Sequence, residues 1–254
     1  MSFKVYIPAR YASTRLPGKV LETIGGRTML ELVHARAIES GAAEVVIATD
    51  DERIARVAAG FGATVCMTDP ALASGTDRIA AAAAWRGEAD EQVIVNLQGD
   101  EPFMPAAVIA QVAARLAGPD APDIATVCEP LRDRAEYENP NVVKLARTAD
   151  DLALYFSRAA IPHLRDGGVD DWQPGPLYRR HVGIYAYTVA FLRRYVAWPP
   201  TALELTERLE QLRALVHGAR IAVPDALAPC GVGVDTPEDL CRARALDATG
   251  AMHG

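Results

Sequence analysis

Three cations crowd into the stretch IPARYASTRLPGKVL, Ile7 to Leu21: Arg10, Arg15 and Lys19. Small and turn-forming residues separate them, among them Pro8, Ala9 and Ser13. The two guanidinium groups can grip phosphate oxygens with planar forks, and the lysine adds a mobile point charge able to follow charge that develops during a reaction. A loop running from a strand end into a helix also turns backbone N–H groups toward an anion. A triphosphate would account for the cluster, although solvated loop charges fit the spacing equally well. The pattern is neither G-x-x-x-x-G-K-[ST] nor G-x-G-x-x-G, so generic Walker-type and dinucleotide readings are disfavoured.

A triphosphate brings a divalent cation, normally Mg²⁺, held by one or two carboxylates that leave positions for water and substrate oxygens. Asp100 follows an apolar run in QVIVNLQGDEP, and Asp235 follows a short apolar segment in GVGVDTPEDL. Either aspartate alone reads as a cap or turn residue; with the basic loop they form a candidate pair of metal ligands. In ASGTDRIAAA, the small residues Ser74, Gly75 and Thr76 with Arg78 open a helix. There a base or ribose could approach closely, or Ser74 or Thr76 could serve simply as a cap. His181, Gly183, Tyr185 and Tyr187 share one face of a strand, where a histidine alone is more often structural than a ligand.

These residues need a scaffold that brings them to one edge. Phe3 to Ile7 reads as a buried strand and Thr28 to Ser40 as a helix closed by Gly41. Glu44 to Thr49 is a strand, Asp51 to Phe61 a helix stopped at Gly62, and ATVCM a further short strand. A helix around Ile79 to Trp85 leads into the apolar run that ends near Asn96 and Gln98. Such alternation predicts an α/β fold with a mostly parallel central sheet covered on both faces. Ligands collect at the carboxyl ends of its strands, so the loops after Ile7, Thr49 and Leu97 should lie together.

From about Asp123 to Tyr187 the pattern changes. VVKLART and LALYFSR flank ADD like a hairpin, HVGIYAY is another strand, and the sheet gains an antiparallel extension. Helices follow at Val189 to Val196 and Leu203 to Val216. The second carries Leu205, Leu209, Leu212 and Val216 on one stripe, with Glu210 and Gln211 off it. Near the end, Thr236 is placed to cap a helix whose first residue is Pro237.

Composition narrows the partners. The 254 residues carry 26 basic and 33 acidic side chains, a net charge of −7, so nothing draws the whole molecule to nucleic acid or anionic membranes; an anion site must be local. No apolar run is long enough to span a bilayer, and no charged leader precedes the first strand. The four cysteines are scattered without a C-x-x-C pair, which points to reduced thiols and the cytosol.

The strings IPARYASTRLPGK, SGTDR, VNLQGDEP, YFSRAAIP, RHVGIYAY, LEQLR and GVDTPEDL stand in the order seen in the 3-deoxy-manno-octulosonate cytidylyltransferase (CMP-Kdo synthetase) family. The resemblance runs from Phe3 to about Leu246. It implies a Rossmann-like nucleotidyltransferase fold, one domain over 1–254 with an inserted antiparallel, dimerising region at about 123–187, and a cytoplasmic homodimer. The implied reaction makes CMP-Kdo and pyrophosphate from CTP and Kdo for lipopolysaccharide synthesis.

Carried over by motif, Arg10, Ser13, Arg15 and Lys19, with Pro8 and Ala9 beside them, would bind the triphosphate. Ser74, Gly75, Thr76, Arg78 and Gln98 would hold the cytidine. Asp100 and Asp235 would bind Mg²⁺, and Lys19 would stabilise the transferring phosphate. Arg158, His181, Tyr185, Glu210 and Gln211 would surround the sugar acid. Two departures from the family pattern are Val20, where proline is usual, and TALE at Thr201 to Glu204, in place of Ser-Pro-Leu-Glu. The second touches the helix bearing Glu210 and Gln211. Rival readings are a cytidylyltransferase for another acidic sugar, a non-catalytic nucleotide-binding module, and a redox Rossmann enzyme, whose glycine fingerprint is missing.

Overall fold

The computed structural model describes residues 2–12, 16–165, 172–231 and 233–248. Strand β1 (Phe3–Ala9) lies between β4 (Glu44–Thr49) and β6 (Val93–Asn96), parallel to both, with Val5 opposite Val45 on one side and Val95 on the other. These strands read as nearly continuous apolar runs because helices cover both faces. Beyond β4 the parallel order continues to β5 (Thr64–Met67). A small hairpin, β2 (Thr23–Ile24) with β3 (Arg27–Thr28), leads into helix α1.

The helices start where side-chain oxygens meet free N–H groups. Thr28 caps α1 (Met29–Glu39), Asp51 caps α2 (Glu52–Gly60) and Ser74 caps α3 (Gly75–Trp85). On one face of the sheet α1, α2 and α4 (Ala106–Ala114) pack Leu30, Val33, Ile54, Val108 and Val112 against Val5, Ile7, Ile47 and Val95. On the other, α3 and α6 (Val189–Ala197) pack Ile79, Ala82, Phe191 and Leu192 against Tyr6, Val46 and Ile94. The division follows the strand period of two: Val5 and Ile7 point one way, Tyr6 the other.

Beyond β6 the sheet becomes mixed. Its path is β11-β7-β10-β6-β1-β4-β5, where β7 is Ile124–Pro130, β10 Arg179–Thr188 and β11 Ile221–Ala222. Strand β10 runs antiparallel to both β6 and β7. The expected hairpin forms from β8 (Lys144–Arg147) and β9 (Ala153–Ser157), and β8 adds to the end of β10. A short helix α5 (Arg134–Glu138) sits beside it, with Tyr137, Trp172 and Tyr178 forming a small aromatic cluster. Helix α9 (Pro237–Ala248) follows Thr236, whose hydroxyl accepts the Asp239 N–H at 3.2 Å as a cap should.

The expected single helix from Leu203 to Val216 is broken. Helix α7 (Ala202–Glu207) ends at Arg208 in the left-handed region, with φ 56°, and α8 (Gln211–Val216) starts afresh. The turn resets the helical phase, so Leu209 and Leu212 are buried while Leu205 and Val216, expected on the same stripe, are exposed. The TALE departure is benign locally: Thr201 and Glu204 form a reciprocal capping box, and the Glu204 carboxylate also takes two bonds from Arg213. No helix among the described residues is long and apolar enough to cross a membrane.

Candidate active site

Because β1, β4 and β6 are parallel, the loops that follow them share one edge, as their order in the sequence requires. Pro8 and Ala9 end β1 and Arg10 stands exposed just beyond it. The chain then returns so that the Gly18 N–H reaches the Tyr11 carbonyl at 2.9 Å. Gly18 takes φ 70°, and a Cβ there would lie 2.9 Å from the Tyr11 ring, so this turn needs glycine. It delivers Lys19 to the sheet edge. Ser13 and Arg15 lie outside the described residues.

The Lys19 ammonium bonds to the Asp100 carboxylate and, at 2.8 Å, to Asp235 Oδ1. Asp100 comes from the turn after β6, Asp235 from the segment before α9; the Val234 N–H to Asp100 carbonyl bond of 2.9 Å ties the two together. Burial disfavours the Lys19 charge, but Asp100 and then Asp235 outweigh it and hold the pKa above the ordinary lysine value. Glu101, which sequence reasoning missed, is half-buried beside them. Burial first, then repulsion from Asp100 and Asp235, pushes its carboxyl up to about 8. No sequence pattern distinguishes it, because only the fold brings Gly233 against its side chain, where a Cβ would lie 2.7 Å from Oε1.

Two carboxylates converging on one ammonium suit a small hard cation as well as they suit lysine. Among the described residues no three His, Cys, Asp or Glu side chains gather into a metal cage. Mg²⁺ needs none when substrate phosphates complete its shell. The donor set at Asp100 and Asp235 therefore fits Mg²⁺.

A cavity of about 340 Å³ opens over this cluster, lined by Pro8, Ala9, Arg10, Lys19, Ser74, Gly75, Arg78, Gln98, Asp100 and Asp235. Ser74 caps α3, so its hydroxyl serves the helix. Arg78 is almost fully buried and binds Asp50 at 2.8 Å as well as the Thr68 hydroxyl, so it braces the cavity wall. Gln98 gives an N–H to Asn96 Oδ1 at 2.8 Å, which fixes the orientation of its amide.

A second cavity, about 480 Å³, adjoins the first and shares Gly75, Gln98, Glu210 and Asp235 with it. Thr76, Arg158, Tyr185 and Gln211 line it, with Asn96, Tyr187 and Arg208 among the residues the sequence did not single out for this pocket. The Thr76 hydroxyl donates to Glu210 at 2.9 Å, and burial raises the Glu210 pKa above the usual carboxylate value. The Gln211 side-chain nitrogen is buried with no hydrogen-bond partner among the described residues. Burial likewise raises the Tyr185 pKa. His181 does not line either cavity: it packs on Phe156 and Tyr185 and meets the Thr126 hydroxyl at 3.0 Å. Burial pushes its pKa down to about 3, so the ring is neutral. Its position supports Tyr185 from behind.

A three-layer α/β sheet whose edge joins a cationic, carboxylate-bearing chamber to a second chamber suits an enzyme that moves a phosphate-bearing group from one bound molecule to another. Residues 5–221 match the cytidylyltransferase family model. A 3-deoxy-manno-octulosonate cytidylyltransferase of Thioalkalivibrio sulfidiphilus (strain HL-EbGR7) is 53% identical over 247 residues, 97% of this chain and 99% of that protein. One of Pseudomonas fluorescens (strain SBW25) is 52% identical over 248 residues, 96% of this chain and 98% of that one. A solved CMP:2-keto-3-deoxy-manno-octonic acid synthetase complexed with CTP superposes with a TM-score of 0.89 at 38% identity, covering 98% of this chain and 100% of the other. The chain belongs to the 3-deoxy-manno-octulosonate cytidylyltransferase family.

Proposed function

We infer that the protein transfers CMP from CTP to Kdo, releasing pyrophosphate. The observation that carries this reading is the pair of adjoining cavities with a common wall at Gln98, Glu210 and Asp235. One holds the cations a triphosphate needs, and the other holds Arg158, Glu210 and Gln211 for a sugar acid. In-line attack of the anomeric hydroxyl on the α-phosphorus then requires mainly positioning and charge neutralisation. Arg10 and Lys19 hold phosphate oxygens, and Lys19 follows the negative charge that grows on the transferring group. Nucleotide entry must draw Lys19 at least partly from the carboxylates it now bridges. Asp100 and Asp235 would hold Mg²⁺, which supplies Lewis-acid neutralisation of the phosphates when bound.

The Arg158 guanidinium faces the sugar carboxylate, while Glu210 and Gln211 take hydroxyl groups. Pyrophosphate release from CTP with a panel of acidic sugars tests the reading: release with Kdo is expected, and release with a sialic acid alone would overturn the sugar assignment while sparing the CTP chamber.

The working protein is proposed to be a cytoplasmic homodimer organised as one domain, with the 123–187 region at the contact. Three buried thiols and one exposed one, all unbridged, suit a reducing compartment. Leu154 and Leu177 stand exposed beside a groove of about 370 Å³ between the β8–β9 hairpin and the start of β10, a surface suited to a second copy. Sedimentation equilibrium decides: a monomer at all accessible concentrations would refute the dimer.

A further inference from the structure

Lys144 lies on β8, fully buried, in the antiparallel part of the sheet. Its ammonium donates to the backbone carbonyls of Asn139 at 2.8 Å, Val142 at 2.7 Å and Arg158 at 2.6 Å. Three acceptors use all three N–H bonds of the protonated form, so the cage is built for a cation. Buried charges are costly unless paired, and here the direct partners are neutral carbonyls.

Arg158 has the same character. Its guanidinium donates to the carbonyls of Glu207 at 2.7 Å, Pro140 at 2.9 Å and Arg208 at 3.4 Å. The Glu207 carboxylate lies nearby, accepting the Arg158 backbone N–H at 2.9 Å and the Ser157 hydroxyl at 2.6 Å. The turn at residues 139–142 thus supplies acceptors to both cations, and Lys144 grips the main chain of Arg158. Arg158 and Arg208 are the cations that line the larger cavity, with Glu210 and Asp235 on the wall it shares with the first.

We propose that Lys144 is a positioning residue for the sugar-acid pocket: its ammonium fixes the Arg158 backbone and the 139–142 turn, and so sets the Arg158 guanidinium where it meets the carboxylate of an anionic substrate. This rests on the reading of Arg158 as the partner of the sugar carboxylate. Burial lowers the Lys144 pKa, and Arg158 adds to the shift, which is the electrostatic cost an incoming anion would relieve.

The test compares the full-length protein with Lys144→Met, Lys144→Gln and Arg158→Ala, measuring kcat, the KM for each substrate, and CTP binding by calorimetry below the melting temperature. Both Lys144 variants should raise the KM for Kdo about tenfold while leaving the KM and calorimetric affinity for CTP within about twofold. The glutamine keeps two donors and the side chain's bulk, so it reports if the methionine variant fails to fold. Parallel losses for Kdo and CTP, or a lowered melting temperature with the Kdo requirement unchanged, would show a purely structural lysine and overturn the proposal. If Arg158→Ala raises the Kdo requirement and the Lys144 variants do not, the proposal alone falls; if Arg158→Ala leaves it unchanged, the reading of Arg158 falls with it.

Discussion

The negative groups at the reacting edge do not stabilise one another. Asp100, Asp235 and Glu101 lie close enough that the first two raise the pKa of the third, and Lys19 offsets only part of the repulsion. Replacing Asp100 or Asp235 by asparagine therefore relieves like-charge crowding while removing a proposed metal ligand. Turnover should fall nearly to nothing with the melting temperature preserved; near-normal activity in saturating Mg²⁺ would refute the assignment. Lys19→Ala should lower kcat more than it weakens CTP binding, because a charge that follows the transferring phosphate acts mostly in the transition state. A change confined to the KM for CTP would make Lys19 a ground-state anchor. Gln211→Ala removes a buried donor with no partner among the described residues. Loss of one such bond to substrate costs about 1–3 kcal/mol, so kcat/KM for Kdo should drop roughly ten- to hundredfold at unchanged CTP affinity. Residue types disclosed the aspartates and the basic loop in advance; Glu101 stayed hidden because its chemistry comes from burial, which a lone carboxylate in a turn does not announce.

At the level of elements, the parallel core was legible because its strands are apolar runs and its helices begin at Thr28, Asp51 and Ser74. Strand β7 escaped reading because it is buried on both faces and carries little periodicity, and helix α4 because alanines fill its outer face and leave little contrast with the buried Val108, Ile109 and Val112. The break at Arg208 escaped for a different reason. Leu205, Leu209, Leu212 and Val216 fit one helical stripe, and only tertiary packing selects the left-handed residue that interrupts it. The capping box that starts α7 belongs to this element, and Thr201→Ala should cost about 1 kcal/mol through loss of the Glu204 N–H acceptor. A urea midpoint equal to that of the parent would show that Arg213, through its two bonds to Glu204, holds the helix start unaided.

Acid acts on the whole molecule through buried groups of opposite sign. His181 has its pKa pushed down to about 3 in the folded protein by burial, whereas an unfolded histidine titrates near 6.5. Below about pH 6.5 the unfolded chain takes up a proton that the folded one refuses, so stability declines by at most about 1.4 kcal/mol per pH unit. Further down, Glu44, Glu88, Glu207 and Asp225, all with pKa values lowered against burial by bonds to neighbouring donors, lose their contribution as they protonate. Glu101 acts in the opposite sense: its folded pKa of about 8 lies above the unfolded value, so the folded chain gains stability as pH falls through that range. The His181 share is therefore read as a difference between proteins: urea unfolding at pH 7.5 and pH 5.0 should show His181→Gln more stable at the lower value, relative to pH 7.5, than the parent. An equal slope in the variant would mean that the acid response comes entirely from the carboxylates.

The bonds from Lys19 to Asp100 and Asp235 also impose an order in time. During synthesis the chain acquires the basic loop first, the turn that carries Asp100 well before its midpoint, and Asp235 only after every described strand of the sheet has been made. A nascent polypeptide can thus lay down its hydrophobic layers while the chemical centre is still missing one wall. If Asp235 holds the metal as proposed, catalytic competence is the last property the chain acquires in translation, and a ribosome stalled before codon 235 would carry the sheet without its second proposed metal ligand.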